Sequence, residues 1–274
     1  MFIDTHCHLN IMAHKKPDEL LQASDYPIIA AVIDSAYNVG VKKIINVGTS
    51  IPESKNSLEI AQKFDSVYAS VGVHPCDCNA MSHTDISVAM ETIAPWLNSK
   101  EHNKIVALGE TGLDFYHNPY DVRRQTDSFV MHIEQALEHK LPLIVHVREA
   151  GEETLRVLEP YVKNGVRGVI HCFSQNKDFA TTVLEWGFYC GLDAPIGYPK
   201  NQGLRDVIKD IPLEHIVLET DAPFLPPQQF RGRQNSPVYI PLIAQMVAEI
   251  KGVDVEMVER VTTENALNLF GLKD

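Results

Sequence analysis

The sequence alternates between short apolar runs, rich in Val and Ile, and segments with the spacing of amphipathic helices. Most runs lack polar–apolar alternation, which is typical of strands buried on both faces in a parallel sheet. Eight such runs occur: Phe2–Ile3, Lys43–Val47, Val67–Val73, Ile105–Leu108, Leu143–Val147, Gly168–Ile170, Gly187–Gly191 and Ile216–Leu218. Over 274 residues they give about 34 residues per repeat, close to the roughly 31 of a (β/α)8 barrel. We therefore expect an α/β fold of the TIM-barrel class.

Three of the intervening segments show an apolar helix face: Ile86, Met90, Ile93 and Leu97; Val122, Phe129, Ile133, Ala136 and Leu137; Ile240, Ile243, Ala244 and Val247. A doubly wound open sheet is the rival fold, and it favours a Gly-rich phosphate-binding turn after the first strand. The corresponding turn here is His6-Cys7-His8. No linker or repeat divides the chain, so we expect a single domain, residues 1–274.

Histidine and acidic residues follow five of the predicted strands. The set comprises His6, His8, Glu110, His146, His171 and Asp221. In a barrel the carboxyl ends of all strands meet at one mouth, so these side chains are expected to converge there. His6 and His8 point the same way along a strand, whereas Cys7 between them points away and is expected in the core. Singly, each residue could be a capping or turn residue, but six together predict a metal site.

Four imidazoles and two carboxylates are too many ligands for one tetrahedral ion, and they suit two divalent cations about 3.5–4 Å apart. Glu110, central in chain order, is the natural bridge because a carboxylate can bind one cation with each oxygen. These nitrogen and oxygen donors fit Zn, Mn, Ni, Co or Mg and do not choose among them. We expect the cations to activate a water, with Glu110 and Asp221 as the catalytic residues.

The net charge of −12 argues against a broad basic face for duplex DNA, although bound cations could still reverse the field in one cleft. The five cysteines and the absence of a signal sequence predict free thiols in the cytoplasm, and no apolar run is long enough to span a membrane. Cys76 and Cys78 could hold a soft metal with His74. No second cysteine pair follows, so a zinc knuckle is not expected.

Several stretches resemble the TatD-type metal-dependent deoxyribonucleases, a family of amidohydrolase-like barrels. The matching segments are Phe2–His8, Gly72-Val73-His74-Pro75, Gly109–Asp114, His146-Val147-Arg148, His171–Ser174, Glu219–Pro223 and Asn265–Leu272. The resemblance implies a (β/α)8 barrel that hydrolyses phosphodiester bonds in DNA, often as a 3′-to-5′ exonuclease. It also implies one cation held by His6, His8, Glu110 and Asp221, and a second held by Glu110, His146 and His171.

Substrate contacts are expected from His74, Arg148 and Arg233, with DNA that is single-stranded or frayed at its ends. His74 could touch a phosphate or be a turn residue fixed by Pro75, and Arg148 could hold a phosphate or pair with a surface glutamate. Two segments depart from the family pattern, Gln234-Asn235-Ser236-Pro237 and Gly191–Tyr198. Both lie near the expected mouth, so the departures concern substrate choice.

Two other functions remain open from the residues alone. Related barrels hydrolyse other esters, lactones or amides, several with a carboxylated lysine at the position of Glu110. A metal-binding protein without turnover would lack a ligand or a base, and none is missing here. The oligomeric state is not indicated.

Overall fold

Eight parallel strands form one sheet in the order of the chain, from β1 to β8. The computed structural model describes residues 1–13 and 16–273. The strands are β1 Phe2–Cys7, β2 Val41–Val47, β3 Val67–Val71, β4 Ile105–Asp114, β5 Leu143–Arg148, β6 Gly168–Ile170, β7 Tyr189–Leu192 and β8 Ile216–Leu218. A parallel bridge between Cys7 and Ala222 brings the first and last strands together, so the predicted TIM barrel is confirmed.

Helices connect the strands and cover the barrel. In the described ranges they are α1 Leu9–Met12, α2 Tyr26–Asn38, α3 Ile51–Lys63, α4 Pro75–Cys78, α5 His83–Asn98, α6 Lys100–Asn103, α7 Val122–His139, α8 Gly151–Val162, α9 Lys177–Glu185, α10 Gln202–Asp210, α11 Ile240–Lys251 and α12 Val255–Phe270. Side chains fix several starts: the Ser50, Asp121 and Asn176 oxygens accept backbone N–H groups of α3, α7 and α9. Gly252 and Gly271 end α11 and α12 at positive φ.

The fourth strand is longer than its apolar run. We predicted Ile105–Leu108 with Glu110 after it, but β4 continues to Asp114, so Glu110 lies within the strand. Pairing with β5 resumes at Thr111 after an irregularity that begins at Leu108. The polar side chains Glu110 and Thr111 ended the hydrophobic signal without ending the backbone pairing. Similarly, β1 extends to Cys7, and β7 begins at Tyr189 because Gly187 adopts a positive φ in the preceding turn.

The predicted helix faces are buried except at two positions of α7, where Leu137 is partly buried and Val122 is exposed. The α5 and α11 residues named above are all buried, whereas Val122, at the first position of α7, is 40% exposed. Its inclusion in the buried face was wrong, because the buried face of α7 starts one turn later, with the polar side chains Gln125 and Ser128 ahead of Phe129. The main core lies between these helices and the outer face of the barrel.

A smaller cluster fills the opposite face of the strands. It includes Ile144, Val169 and Val217, packed with Leu269 and Phe270 at the end of α12. Because strand side chains alternate, the residues two positions further along point the same way. For these three strands those residues are His146, His171 and Glu219. The apolar residues thus form a layer directly adjacent to the polar residues, which lie nearer the carboxyl ends of the strands.

A buried histidine joins α7 to the end of β3. His132 is fully buried; its Nδ1 donates to the Ser128 carbonyl at 2.7 Å, and its Nε2 accepts the Val73 N–H at 3.1 Å. Burial lowers the pKa of His132 to about 4 from an ordinary value of 6.5, partly offset by the bond to Ser128. The side chain is therefore neutral at pH 7.

We expect Ile133→Ala to lower the free energy of unfolding by about 2–5 kcal/mol, because it leaves a cavity between α7 and the barrel. Ile133 is 0% exposed, whereas Ile28 on α2 is 39% exposed. Ile28→Ala is therefore the matched control and should change stability by about 0.5 kcal/mol or less. Urea unfolding measures both. Equal losses in the two variants would contradict the packing described.

His132 should make the fold sensitive to acid. The unfolded chain binds its proton near pH 6.5, but the folded chain binds it only near pH 4, so stability falls as the pH drops between these values. The stability advantage of the wild type over His132→Gln should shrink by about 2 kcal/mol between pH 7.5 and pH 5. Urea unfolding at several pH values tests this, with the exposed His102→Gln as the control. Parallel profiles for wild type and His132→Gln would contradict it.

Candidate metal centre

Two histidines from β1 meet an aspartate from the loop after β8. The Nε2 atoms of His6 and His8 lie 3.1 Å apart. Asp221 Oδ1 lies 3.6 Å from the first of these atoms and 3.4 Å from the second. Both rings are buried, and the three donor atoms lie within 4.8 Å of one another. A cation placed among them would gain three ligands.

Glu110 occupies the middle of the centre. Its Oε2 lies 3.4 Å from His6 Nε2, whereas its Oε1 lies 3.0 Å from His146 Nδ1 and 3.5 Å from His74 Nε2. His171 Nε2 lies 4.0 Å from the same Oε1. Burial acts to raise the pKa of Glu110, but the surrounding histidines, His74 first, hold it well below its ordinary value. The two oxygens of one charged carboxylate thus face two different groups of nitrogen donors.

The loop that carries Asp221 is held by residues outside the metal-binding set. Thr220 donates its backbone N–H and its hydroxyl to the two oxygens of Asp4, at 3.0 and 2.6 Å. The Asp221 N–H donates to the His6 carbonyl at 2.9 Å, and Asp221 itself adopts a positive φ of 55°. Burial raises the pKa of Asp4 to about 7, although the bonds from Thr220 oppose this. The strained backbone of Asp221 is therefore fixed from two sides.

Hydrogen bonds orient the histidine rings. His8 Nδ1 donates to the Val47 carbonyl at 3.1 Å, which directs Nε2 at His6 and Asp221. His171 Nδ1 donates to Glu219 Oε1 at 2.9 Å. Burial acts to lower the pKa of His171, but the charge and hydrogen bond of Glu219 outweigh it and raise the pKa well above 6.5. Such partners fix the ring orientation that a cation requires.

His146 has carboxylates on both sides. Its Nδ1 faces Glu110, and its Nε2 lies 2.9 Å from Asp114 Oδ2. Burial acts to lower the pKa of His146, but the hydrogen bonds to Asp114 and Glu110 raise it above its ordinary value. Asp114 therefore orients a histidine of the centre.

The residues at the centre fit divalent cations. The centre contains three sets of three residues, and within each set the donor atoms lie within 4.8 Å of one another. The sets are His6, His8 and Asp221; His6, Glu110 and His171; and His74, Glu110 and His146. The Nε2 atoms of His6 and His8 lie 3.1 Å apart, the buried Nδ1 of His6 has no hydrogen-bond partner, and carboxylates surround the rings. A positive ion would neutralise these carboxylates and accept the nitrogen lone pairs.

The predicted metal ligands all reach this centre, but in a grouping that differs from the expected one. His146 and His171 both face Glu110 Oε1, yet they fall into separate donor sets. His74 was considered for phosphate contact, as a turn residue, or with Cys76 and Cys78, but its Nε2 lies 3.5 Å from Glu110 Oε1, closer than the 4.0 Å of His171. The signal for it was present, since His74 also follows a buried strand. Cys7 is buried in the core, as predicted.

Of the two arginines predicted to contact substrate, Arg148 lines a cavity beside the centre and Arg233 lies outside that cavity. Arg148 and Arg231 line a cavity of about 470 Å³ together with Tyr198 and with Cys172, the neighbour of His171. The guanidinium of Arg148 stacks 4.7 Å from the Tyr116 ring, and within the described chain no ion pair joins it to a glutamate. Arg233 is exposed in the loop after Asp221, outside the cavity.

One residue of the segment 234–237, which departs from the family pattern at other positions, has a structural role. Asn235 is buried, and its Nδ2 donates to the carbonyls of Thr220 and Phe224, both at 2.6 Å. It therefore ties the segment 234–237 to the loop that carries Asp221. Sequence reasoning missed this contact because an asparagine in a polar loop carries no signal of its distant partner.

The fold and the centre together define a metal-dependent hydrolase on a TIM barrel. The sequence profile of the family described as TatD related DNase matches residues 3–271. The chain belongs to this family. In the described residues, no helix is both long and apolar enough to cross a membrane.

Known proteins similar to this chain include both unassigned hydrolases and a nuclease. YabD of Bacillus subtilis, named as an uncharacterized metal-dependent hydrolase, is 33% identical over 98% of this chain and 99% of its own length. The 3′-5′ ssDNA/RNA exonuclease TatD of Pantoea ananatis is 34% identical over 88% of this chain and 92% of its own. The crystal structure of YjjV, a TatD homolog from Escherichia coli, matches with a TM-score of 0.88 and 27% identity over 99% of this chain and 98% of that one.

Gly191 on β7 leaves room for Glu219, and replacing it tests whether that carboxylate supports the centre. A Cβ at Gly191 would overlap the Glu219 carboxylate and push it from His171. We expect Gly191→Ala to weaken Mn²⁺ binding by about 10–100-fold in calorimetric titration. Gly203→Ala is the matched control, since nothing lies within 4 Å of a Cβ there. Unchanged affinity in a folded Gly191→Ala protein would contradict the role of Glu219.

Proposed function

We propose that this chain is a nuclease that removes nucleotides from the 3′ end of single-stranded or frayed DNA, using two divalent cations. The observation that carries the proposal is the position of Glu110, whose two oxygens face different groups of histidines. Such an arrangement suits a pair of cations bridged by one carboxylate.

The chain offers a complete set of donors for the pair. His6, His8 and Asp221 would hold one cation, and Glu110 would contact both. His146 and His171 would hold the second, with His74 as a further donor at the same oxygen of Glu110. When bound, the cations would lower the pKa of a water and neutralise charge on the phosphoryl oxygens. Zn, Mn, Ni, Co and Mg all suit these donors.

Asp221 is placed to accept a proton from the attacking water. Burial acts to raise its pKa, but the hydrogen bond from His8 and the charges of His171 and His6 keep the pKa below its ordinary value. Asp221 is therefore a carboxylate at neutral pH. Its side chain is 13% exposed, so it borders the open side of the centre, where a substrate would enter. This supports its role as general base.

The cavity beside the centre supplies groups that suit a DNA strand. Arg148 and Arg231 offer planar guanidinium donors for phosphate oxygens, and Tyr198 lies in the same wall. The guanidinium of Arg231 lies 5.0 Å from the Tyr198 ring; because this ring is buried, the exposed guanidinium is the part of the pair that a DNA strand would contact. The name of the Pantoea ananatis relative supports the same substrate class and polarity.

Digestion of end-labelled oligonucleotides tests the proposal. With Mg²⁺, Mn²⁺, Zn²⁺, Co²⁺ or Ni²⁺ in separate reactions, we expect 5′-labelled single strands to shorten progressively, and 3′-labelled strands to release their label first. Blunt duplexes should react more slowly than frayed ones, and EDTA should stop the reaction. Asp221→Asn should lower the rate by about 10²–10⁴-fold at saturating cation, because the base is lost. Asp206→Asn, an exposed helical residue, is the matched control.

Three outcomes would contradict the proposal. No cleavage of any oligonucleotide, while small esters or lactones are hydrolysed, would assign the centre to another substrate. Release of internal fragments before terminal nucleotides would exclude exonuclease action. A rate unchanged in Asp221→Asn would exclude that residue as the base.

A further inference from the structure

A fourth group of metal-binding side chains lies beside the centre but outside it. Cys76, Asp114 and His117 each place one donor atom within 4.8 Å of the other two. They come from three separate segments: the start of α4, the end of β4 and the loop after β4. We propose that these three residues form a second site, for a zinc-class cation, that lies next to the nuclease centre and binds the cation through the thiolate of Cys76.

Local contacts hold the three donors in place. Asp114 is fully buried, and its Oδ1 accepts the N–H groups of Tyr116 and His117 at 3.0 and 2.8 Å. This turn brings His117 Nδ1 to 2.8 Å from Asp114 Oδ2. On the other side, the Cys76 N–H donates to His74 Nδ1 at 3.1 Å. The site therefore needs little rearrangement to bind a cation.

The donor set differs from that of the nuclease centre in its chemistry. Sulfur, imidazole nitrogen and carboxylate oxygen together are ligands for Zn²⁺, and a thiolate disfavours Mg²⁺ and Ca²⁺. Three protein ligands leave a fourth position for water. The His117 side chain is 61% exposed, so a cation can enter from solvent.

The cysteine spacing suggested a different grouping. By spacing alone, Cys76 groups with Cys78 and His74, but Cys78 is buried in a small apolar cluster with Val73 and Ile86. Its thiol donates to the His74 carbonyl at 3.4 Å. The partners of Cys76 are instead Asp114 and His117, which lie about 40 residues further along the chain.

Asp114 belongs to both arrangements. Its Oδ2 lies 2.8 Å from His117 Nδ1 and 2.9 Å from His146 Nε2. A cation bound by Cys76 and His117 would compete with His146 for this oxygen. Occupancy of the site is therefore coupled to the orientation of a histidine of the nuclease centre.

Cobalt absorption tests the site without any activity assay. The purified protein, kept in excess Mg²⁺, is titrated with Co²⁺ and followed in the near ultraviolet. A thiolate–cobalt charge-transfer band should appear in the wild type, since the nuclease centre contains no sulfur ligand. The band should vanish in Cys76→Ser. It should persist in Cys172→Ser, the matched control for the thiol next to His171. His117→Ala should need more than about tenfold higher Co²⁺.

Zinc content gives a second measurement. After equilibration with Zn²⁺ and gel filtration, the wild type should retain one zinc more per chain than Cys76→Ser. The proposal fails if the wild type shows no charge-transfer band, or if Cys76→Ser keeps the band at full strength. It fails equally if Cys172→Ser alone abolishes the band. Failure of DNA cleavage leaves these results unaffected, so the two proposals are separately tested.

Discussion

A charged carboxylate buried among imidazoles organises the mouth of this barrel. Glu110 contacts His6 with one oxygen and His74 and His146 with the other, far from bulk water. Isolating such a charge costs several kcal/mol unless partners compensate it. The histidines compensate it partly, and bound cations would complete the neutralisation. The requirement to place donors on all sides of one carboxylate explains why they come from five strands of the sheet.

The supporting carboxylates extend this arrangement outward. Asp114 contacts His146, Glu219 contacts His171, and Asp4 holds Thr220 next to Asp221. Each supporting carboxylate lies on a strand or directly after one. The rigid sheet therefore fixes the carboxylate, and the carboxylate fixes the ring or loop that it contacts. Loops alone would not fix donor atoms to within the tolerance that a metal requires. Gly191 and Asn235 serve the same end, one by leaving space and the other by bonding the loop.

Periodicity was sufficient to predict the barrel, and the positions of six polar residues at the strand ends were sufficient to predict that they meet at one mouth, because both follow from backbone geometry. Buried strands and a common mouth place His6, Glu110 and Asp221 together whatever the loops do. The extent of β4 was not predictable, since its backbone pairing continues through polar residues. The contacts of His74 and Asn235 were also hidden, because they depend on the rotation of one ring and on a loop returning to its neighbour. Sequence thus indicates which residues meet but not which atoms face each other.

The net charge of −12 and a phosphodiester substrate are compatible only if the field at the mouth is local. Glu110, Asp221 and Glu219 would repel a phosphate in the absence of cations. Two divalent cations would contribute four positive charges within a few ångströms and reverse that field, while Arg148 and Arg231 extend the positive region along the cavity. Metal binding is then a condition for substrate binding as well as for water activation. The same acidic residues that would repel a nucleic acid from the metal-free centre would create the affinity for the ions that attract it.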